Sequence, residues 1–488
     1  MGIIRFQKCY SYSMDKINDV LTKLNDLMYT YLLLILLVGV GLYFTIVTKG
    51  VQFRLLREGI RCMLEPSKTG RDGKKRVSSF QALMISTASR VGTGNIAGIA
   101  TAIAAGGPGS VFWMWLMALI GGASAFAEST LAQVYKVREG GAFRGGPSYY
   151  MERGLGRRWM GVLFSVLLIL CFAYGFNSLQ AYNISSALEY YIEDYSNTGY
   201  PILLGLALAA AMGLVIRGGV HRIGFITSVL VPVMALLYIL MGLVTVALNM
   251  AELPHLLAVI IRDAFDLRAM AGGFAGNAVV IGIKRGLFSN EAGMGSAPNA
   301  SASADVQHPV KQGLVQVISV FIDTLFICSS TAMMLLMSDI EGKTGALDGI
   351  PYVQAAISKN VGPWGIHFIT FSIFSFAFSS LIGNYYYAES NFLFIKNSRR
   401  GLTLFRMTCL AAVFLGTQAD FALVWNLADI TMGFMAIVNI IAIFLLRKIV
   451  LRVLDHYEKR RKEQKPVVFC EDDIKVAGTV WNREEKGC

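Results

Sequence analysis

The chain has 488 residues, of which 55% are hydrophobic and only 16% are charged. A soluble globular protein carries closer to about 25% charged residues, so the composition excludes an ordinary soluble domain and predicts an integral membrane protein. The formal net charge of +12 does not indicate nucleic-acid binding, because the basic residues lie in alternate loops between apolar stretches rather than in one patch.

Eleven apolar stretches predict membrane helices, and we call them span 0 to span 10. Span 0 is too long for a signal-peptide core and lacks an obvious cleavage site, so we interpret it as a retained helix. The sequence therefore predicts an all-α protein with about eleven transmembrane helices. In chain order the spans cover residues 29–47, 82–105, 109–134, 160–188, 200–216, 223–248, 269–300, 312–338, 365–395, 402–418 and 423–446.

The loop charges orient these spans. Residues 49–79 hold nine Lys or Arg against three acids, whereas the loop between spans 3 and 4 holds Glu189, Glu193 and Asp194 with no Lys or Arg. Basic loops face the cytoplasm, so the pattern predicts a plasma-membrane protein with its N-terminus outside and its C-terminus inside. The last residues, 447–488, predict a solvated cytoplasmic tail, with a regulatory or lipid-contacting segment as the alternative.

Spans 1 and 6 are interrupted by polar residues and glycines. Span 1 reads Ser-Thr-Ala-Ser-Arg-Val-Gly-Thr-Gly-Asn at 86–95, and span 6 carries Gly272-Gly273 and then a Gly-rich run at 281–295. Irregular backbone at membrane depth is tolerated where protein or water satisfies its polar groups. The two spans cross in opposite directions, and such a pair of broken helices is typical of an inverted-repeat secondary transporter with a site at the midplane.

Broken helices present backbone groups of both signs. Free N–H groups suit a carboxylate, and free carbonyls suit Na⁺ or an ammonium group. A zwitterionic amino acid would satisfy both, so this substrate class is favoured, though not uniquely.

Four motifs then resemble the alanine or glycine:cation symporter family, also called sodium:alanine symporters, and the resemblance runs from about Tyr29 to Leu446. They are Arg-Val-Gly-Thr-Gly-Asn-Ile-Ala-Gly at 90–98, Gly-Gly-Pro-Gly-Ser-Val-Phe-Trp-Met-Trp at 106–115, Gly-Gly-Pro at 145–147, and Lys-Arg-Gly-Leu-Phe-Ser-Asn-Glu-Ala-Gly-Met-Gly-Ser-Ala-Pro at 284–298.

This resemblance implies a leucine-transporter-like 5+5 inverted-repeat fold in which sodium drives amino-acid uptake. The expected organisation is an N-terminal segment with the extra span 0, a first repeat (spans 1 to 5), a second repeat (spans 6 to 10) and the tail. The corresponding ranges are 1–79, 80–250, 251–446 and 447–488.

The resemblance also implies site residues. Backbone N–H groups of Thr93 and Gly94 would hold the substrate carboxylate, with Gly92 permitting the turn. Sodium would bind carbonyls of Ala88 and Val91 together with hydroxyls of Ser379 and Ser380 on span 8. Hard oxygen ligands suit a small alkali cation; the alternative for the two serines is hydrogen bonding to their own helix.

One position departs from the family pattern. Many members carry Trp or Phe just before the span 6 glycine, Gly282, where this chain has Ile281. If that side chain caps the substrate pocket, Ile leaves more room than an indole, which keeps a larger neutral substrate such as glutamine open beside alanine and glycine.

Polar residues elsewhere in the spans add further candidates. On span 3, Asn177 and Gln180 share a helix face and are candidate substrate contacts, with interhelical bonding as the alternative. The favoured interpretation of Arg90 and Glu128 is a structural ion pair rather than substrate contact. With Asn95, Asp323 would border a second cation position.

Enzyme motifs are missing from the sequence. It has no HExxH, no nucleophile elbow and no phosphate loop, and its Gly-rich runs follow no βα pattern. The sequence therefore predicts a non-enzyme with no organic cofactor and with the lipid bilayer as a partner, and the resemblance implies sodium as the coupling ion and an amino acid as the substrate. The alternatives are a membrane amino-acid sensor or channel sharing the fold, or a proton-coupled transporter.

Overall fold

The structure is a computed structural model, and it describes residues 20–66, 76–139, 142–266, 276–338, 349–419, 421–473 and 480–481. Every predicted span coincides with a helix or with a pair of helices. The continuous spans are Val20–Val47, Gly109–Val134, Arg158–Ser186, Tyr200–Ile216, Gly219–Leu248, Pro309–Leu336, Trp364–Ile395, Arg399–Gly416 and Phe421–Leu445, corresponding to spans 0, 2, 3, 4, 5, 7, 8, 9 and 10. Sequence hydropathy alone therefore located these helices, because a membrane helix needs a long uninterrupted apolar run.

Spans 1 and 6 are broken, as predicted. Span 1 consists of the helices Ser79–Arg90 and Ala97–Gly106 with the short 3₁₀ turn Thr93–Asn95 between them. In span 6 the helix Asn277–Asn290 is followed by an irregular segment and the short helix Pro298–Ser301. The predicted glycine pair Gly272-Gly273 lies outside the described residues.

Seven of the described helices are long and apolar enough to cross a membrane. Large apolar side chains of spans 4 and 5 are exposed on the surface, among them Leu203 and Leu206 on span 4 and Leu236 on span 5. An exposed apolar surface of this kind is expected where helices face lipid chains instead of water.

Span 2 lies at the centre of the bundle between spans 6 and 7. Its inward residues are small: Gly121 faces Ala292 of span 6, and Gly122 faces Val317 and Phe321 of span 7. Small residues let helix backbones approach closely in membranes. This close packing sets the broken part of span 6 against a rigid neighbour.

Several elements outside the spans were not predicted. The shorter helices are Val51–Arg54, Leu56–Met63, Pro147–Leu155, Leu253–Ala264, Gly349–Val361 and Arg447–Lys462. Two three-residue strands, β1 (Val137–Glu139) and β2 (Ala142–Arg144), pair antiparallel with Val137 opposite Arg144. The spans still make the fold all-α, with this one small hairpin between spans 2 and 3.

The tail is not simply solvated, contrary to the favoured prediction. Phe469 and Trp481 are fully buried. The backbone N–H of Phe469 donates to the carbonyl of Gln307 at 3.0 Å, and the indole N–H of Trp481 donates to the carbonyl of Gln133 at 2.9 Å. The tail docks because burying two large aromatic side chains is favourable in free energy, and the polar atoms buried with them form hydrogen bonds to backbone groups.

Candidate functional site

The break in span 1 forms the centre of the candidate site. The helix ends at Arg90, and Gly92 follows in an extended conformation that ordinary helical backbone does not adopt. The backbone N–H of Gly92 donates to Oδ1 of Asn95 at 3.1 Å. A side chain three residues further on therefore caps the first half of the break, and the turn is fixed by its own sequence.

The four residues predicted to bind sodium lie together beside this break. The hydroxyl of Ser380 is 2.9 Å from the carbonyl oxygen of Ala88 and 3.4 Å from that of Val91. The hydroxyl of Ser379 lies 3.5 Å from the same Ala88 oxygen. Backbone carbonyls of span 1 and hydroxyls of span 8 thus converge, although the two segments are nearly 300 residues apart in sequence.

The donor set of this cluster suits a small alkali cation. Ser380 has one hydroxyl proton but faces three carbonyl oxygens, since that of Ser89 is also within 3.3 Å. Oxygen atoms in excess over protons are what a hard cation requires. The residues present therefore fit sodium, which would supply the positive charge that these oxygens lack.

One oxygen of this cluster was missed by the sequence analysis. Ser379 donates its hydroxyl proton to the carbonyl of Phe376 at 2.8 Å, the local bonding considered as the alternative. Ser379 therefore makes the local bond named as the alternative, and its hydroxyl oxygen also lies near the Ala88 carbonyl. The sequence does indicate this local contact, because a serine hydroxyl on a helix lies close to the backbone carbonyl three residues before it.

One of the two predicted substrate N–H groups, that of Thr93, is covered by a side chain of span 3. The backbone N–H of Thr93 donates to Oε1 of Gln180 at 3.0 Å, and the Thr93 hydroxyl accepts from Nδ2 of Asn183 at 3.1 Å. Gln180 also lies so close to Gly92 that an added Cβ would clash with its amide. Span 3 therefore contacts the break directly, and a neutral amide occupies the position expected for a substrate carboxylate.

Aromatic residues form the other wall, and the sequence analysis did not identify them. The ring of Phe288 lies against Gly94, where an added Cβ would overlap its edge. Phe176 packs edge-on to Phe288 with ring centroids 4.9 Å apart, and Trp425 packs on it at 5.2 Å. In the sequence these three aromatic residues lie on separate spans, 3, 6 and 10, and nothing in the sequence shows that they meet.

Asn177 is connected to the first break through Asn384 and Ser89. Its Oδ1 accepts from Nδ2 of Asn384 at 3.2 Å, and Oδ1 of Asn384 lies 2.7 Å from the hydroxyl oxygen of Ser89. Asn177 thus bonds between helices, the alternative stated for it, while Gln180 on the same helix contacts the break.

The break in span 6 lies after Asn290 rather than at Gly282. The helix continues through Ile281 and Gly282, and the irregular segment extends from Glu291 to Ala297. Gly282 packs against the backbone of Ser110, and the side chain of Ile281 packs against Gly106. The break therefore begins after Ile281 and Gly282, and Gly282 serves close helix packing.

Glu128 stabilises the break in span 6. Its carboxylate accepts backbone N–H groups of Gly293 at 3.3 Å and Gly295 at 3.0 Å, and Nδ2 of Asn439 at 2.8 Å. Within the described part of the chain, Glu128 forms no ion pair with Arg90, whose guanidinium donates to Gln316 of span 7 at 3.3 Å. The predicted pair is not formed because the N–H groups freed by the break bind the carboxylate instead.

Asn95 and Asp323 lie together, as the second predicted cation position requires. Oδ1 of Asp323 accepts from Nδ2 of Asn95 at 2.6 Å, and Oδ2 accepts from the hydroxyl of Ser289 at 2.6 Å. All three side chains are fully buried. This cluster joins spans 1, 6 and 7 and differs from the Ser380 cluster by containing a carboxylate.

A third charged cluster lies on the other side of Trp425. Asp429 on span 10 pairs with Lys284 at 2.7 Å and with Arg285 at 3.3 Å. The Arg285 guanidinium stacks on Trp425, 4.4 Å from the centroid of its ring. Buried charges are retained when they are paired in this way, and here the pairing attaches the aromatic wall to spans 6 and 10.

Two broken helices and buried charges within the spans are typical of a secondary transporter. The solved structure of MhsT in complex with L-phenylalanine matches the chain with a TM-score of 0.54 at 14% identity, covering 83% of this chain and 94% of MhsT. That likeness concerns the fold alone. The chain has the leucine-transporter-like architecture.

The chain belongs to the sodium:alanine symporter family, whose model matches residues 14–471. It is 48% identical to the probable sodium/glutamine symporter GlnT of Bacillus subtilis (strain 168), over 92% of this chain and 93% of GlnT. It is 45% identical to the amino-acid carrier protein AlsT of the same organism, over 93% and 94% of the two chains. The protein is therefore a multi-pass membrane transporter and not an enzyme.

Proposed function

We propose that this protein carries a small neutral amino acid into the cell together with sodium, by alternating access. The observation that carries the proposal is the cluster at Ser380, where one hydroxyl proton faces three carbonyl oxygens next to the break in span 1. Sodium at this position would fix the carbonyls on one side of the break. The backbone N–H groups of Thr93 and Gly94 on the other side would then bind the substrate carboxylate.

The proposed substrates are alanine, glycine and glutamine. The family description favours alanine, and the name of GlnT favours glutamine. The site combines an aromatic wall of Phe176, Phe288 and Trp425 with the amides of Gln180 and Asn183. Such a wall suits a short apolar side chain, and the amides offer partners to a polar one.

Binding begins with an exchange at Thr93. The amide of Gln180 covers the Thr93 N–H group, and an arriving carboxylate is a stronger acceptor than an amide oxygen. The substrate carboxylate would therefore displace Gln180, whose side chain is then free to bond the substrate. Gly92 and Gly94 leave the space for this exchange, because side chains there would meet Gln180 and Phe288.

The Asp323 cluster is the proposed second cation position. Ser289 and Asp323 offer oxygen atoms within one group, with the amide nitrogen of Asn95 donating to the Asp323 carboxylate, and this carboxylate would balance a second positive charge. A carboxylate of this kind also favours a second candidate function, proton-coupled transport, in which Asp323 carries a proton in place of the second sodium ion.

The proposed orientation follows the loop charges. The N-terminus lies outside, the C-terminus inside, and the two repeats 80–250 and 251–446 cross the plasma membrane with opposite orientation. Access would alternate by movement of the first repeat against the second around the two breaks.

Reconstituted proteoliposomes test the proposal. Uptake of labelled alanine, glycine and glutamine is measured with and without an inward sodium gradient, and in parallel with an inward proton gradient at equal sodium. Sodium-stimulated, saturable uptake of at least one of the three supports the proposal. Uptake driven by the proton gradient alone supports the second candidate, and uptake that neither gradient changes overturns both.

A further inference from the structure

The second break contains a buried carboxylate with partners on both broken helices. Glu291 ends the helix Asn277–Asn290, has a left-handed φ of 54°, and is 1% exposed. One oxygen lies 3.0 Å from the hydroxyl of Ser89 and the other 2.5 Å from that of Ser296. A buried carboxylate is expensive unless hydrogen bonded, so these two hydroxyls hold it at the break.

Ser89 is shared between this carboxylate and the candidate sodium site. Its backbone carbonyl lies 3.3 Å from the hydroxyl of Ser380, while its own side chain points to Glu291 and Asn384. It is buried in the bundle interior. One residue of span 1 thus contacts the proposed sodium position with its main chain and the break of span 6 with its side chain.

The other carboxylate at this break has no such connection. Glu128 accepts N–H groups of Gly293 and Gly295 and an amide of span 10, none of which belongs to the candidate sodium site. Glu128 therefore holds the irregular segment in place, whereas Glu291 ties it to span 1.

We infer that the Ser89–Glu291 hydrogen bond is a positioning contact that couples sodium binding to amino-acid binding; the inference rests on the proposed function. Sodium fixes the carbonyls around Ser89, and the Ser89 hydroxyl then fixes Glu291 at the end of the span 6 helix. Phe288 lies one turn before Glu291 on that helix and forms the wall against Gly94. Sodium occupancy thereby sets the position of Phe288 beside the break in span 1, and Ser89 acts through Glu291.

The coupling is measured as a ratio of affinities. Binding of labelled alanine and of glutamine to the purified full-length protein is determined without sodium and at saturating sodium, and the ratio of the two dissociation constants reports the coupling between the sites. For Ser89→Ala we expect this ratio to fall about tenfold or more, with the sodium-free affinity within about twofold of wild type. The backbone carbonyl at the sodium site is kept in this variant.

Ser296→Ala is the matched control. It removes the hydroxyl on the other oxygen of the same carboxylate, yet Ser296 does not contact the candidate sodium site, so the ratio should stay near the wild-type value. Glu291→Gln keeps the size of the side chain but weakens the acceptor, and its ratio should fall between those of the two serine variants. This second variant keeps the test decisive if Ser89→Ala does not fold.

Two outcomes overturn the inference. An unchanged ratio in both Ser89→Ala and Glu291→Gln would show that the contact does not transmit sodium binding. An equal loss of affinity with and without sodium would show that Ser89 only supports the fold. A wild-type ratio of one, by contrast, overturns the proposed function itself and removes the basis of the coupling.

Discussion

The breaks in spans 1 and 6 free the same kind of backbone N–H group, but these groups have different partners. In span 1 the acceptors are neutral amides, Asn95 on Gly92 and Gln180 on Thr93. In span 6 the main acceptor is the carboxylate of Glu128, which binds Gly293 and Gly295. Hydrogen bonds to a charged acceptor are roughly twice as strong as neutral ones. The second break is therefore held more strongly, and the proposed exchange with a substrate carboxylate is expected at the first.

The largest effect is expected where the cation would join the first break. The double variant Ser379→Ala with Ser380→Ala should abolish sodium-stimulated uptake, because both hydroxyls facing the Ala88 carbonyl are lost. Proteoliposome uptake with and without sodium checks this. Ser372→Ala is the matched control, since this buried serine on the same helix bonds only its own Phe368 carbonyl at 2.8 Å. Normal sodium dependence in the double variant would refute the cation assignment.

Blocking the first break directly should remove amino-acid binding. Gly94→Val places a branched side chain where the Phe288 ring lies and stiffens the backbone, so affinity for alanine and glutamine should fall about 100-fold or more, the cost of several kcal/mol of overpacking. Equilibrium binding to the purified protein measures it. Gly39→Val is the control, because a Cβ at Gly39 meets nothing within 4 Å. Unchanged affinity in a folded Gly94→Val protein would contradict the site.

A carboxylate acceptor on the Thr93 N–H group would make the first break resemble the second. Gln180→Glu would cover the Thr93 N–H with a carboxylate, as Glu128 does in span 6, and would repel the substrate carboxylate. We expect binding of both amino acids to weaken about 10- to 100-fold, as for loss of a charge-assisted bond. Gln180→Met, of similar size and without an acceptor, should bind both amino acids more tightly than Gln180→Glu, because it leaves the Thr93 N–H group uncovered and brings no negative charge. If both variants bind equally, the exchange at Thr93 does not occur.

A smaller effect is expected at Ile281, about 15 Å along the helix from Glu291 at 1.5 Å per residue. Because Ile281 packs on Gly106, Ile281→Trp should lower the free energy of unfolding by about 1–3 kcal/mol and reduce alanine and glutamine uptake by the same factor. Phe288→Leu, in the aromatic wall beside Gly94, should instead change the ratio of alanine uptake to glutamine uptake. A selective loss of glutamine uptake in Ile281→Trp would restore the pocket role expected from the sequence.

The smallest effect concerns the tail, in which Phe469 contacts Gln307 in the segment after the second break. Nδ1 of His308 accepts the Val310 N–H at 3.2 Å, so its proton is on Nε2, which faces Nδ1 of His456 at 3.1 Å. Burial lowers the pKa of both imidazoles, and the neighbouring Lys311, Arg460 and Lys459 lower it further, while Asp473 and Asp455 oppose this at His456. Both imidazoles therefore favour the neutral form when the tail is docked.

The lowered pKa values determine the direction in which docking of the tail changes with pH. A free imidazole titrates near pH 6.5, so docking is strongest above that pH and weakens as the pH falls below it, by up to about tenfold per pH unit for each histidine. Hydrogen exchange at the Phe469 amide, corrected for the intrinsic rate, measures docking. In His456→Phe the dependence should diminish, and protection that stays constant from pH 7.5 to 5.5 in the wild type would contradict the prediction.

The sequence by itself determined the positions of the spans and the existence of both breaks, and the family resemblance supplied the residues of the candidate sodium site. These features are local or depend on long motifs: apolar runs set the helices, Gly92 and Gly94 free the backbone, and Ser379 and Ser380 lie in a motif similar to that of a family. The helix bounds at span 2, Gly109–Val134, even agree with the prediction.

Only the tertiary structure decided which side chains meet at the breaks. That Gln180 covers Thr93, that Phe288 faces Gly94, and that Glu128 binds the second break are contacts between residues 87 or more positions apart. A helical pattern gives the face of each residue but not its neighbour, so Ile281 was placed at a break and Glu128 was paired with Arg90. Only the packing of whole helices decides such contacts. A glycine in a membrane helix can either free the backbone or let another helix approach, and the residues around it in sequence do not distinguish these two roles.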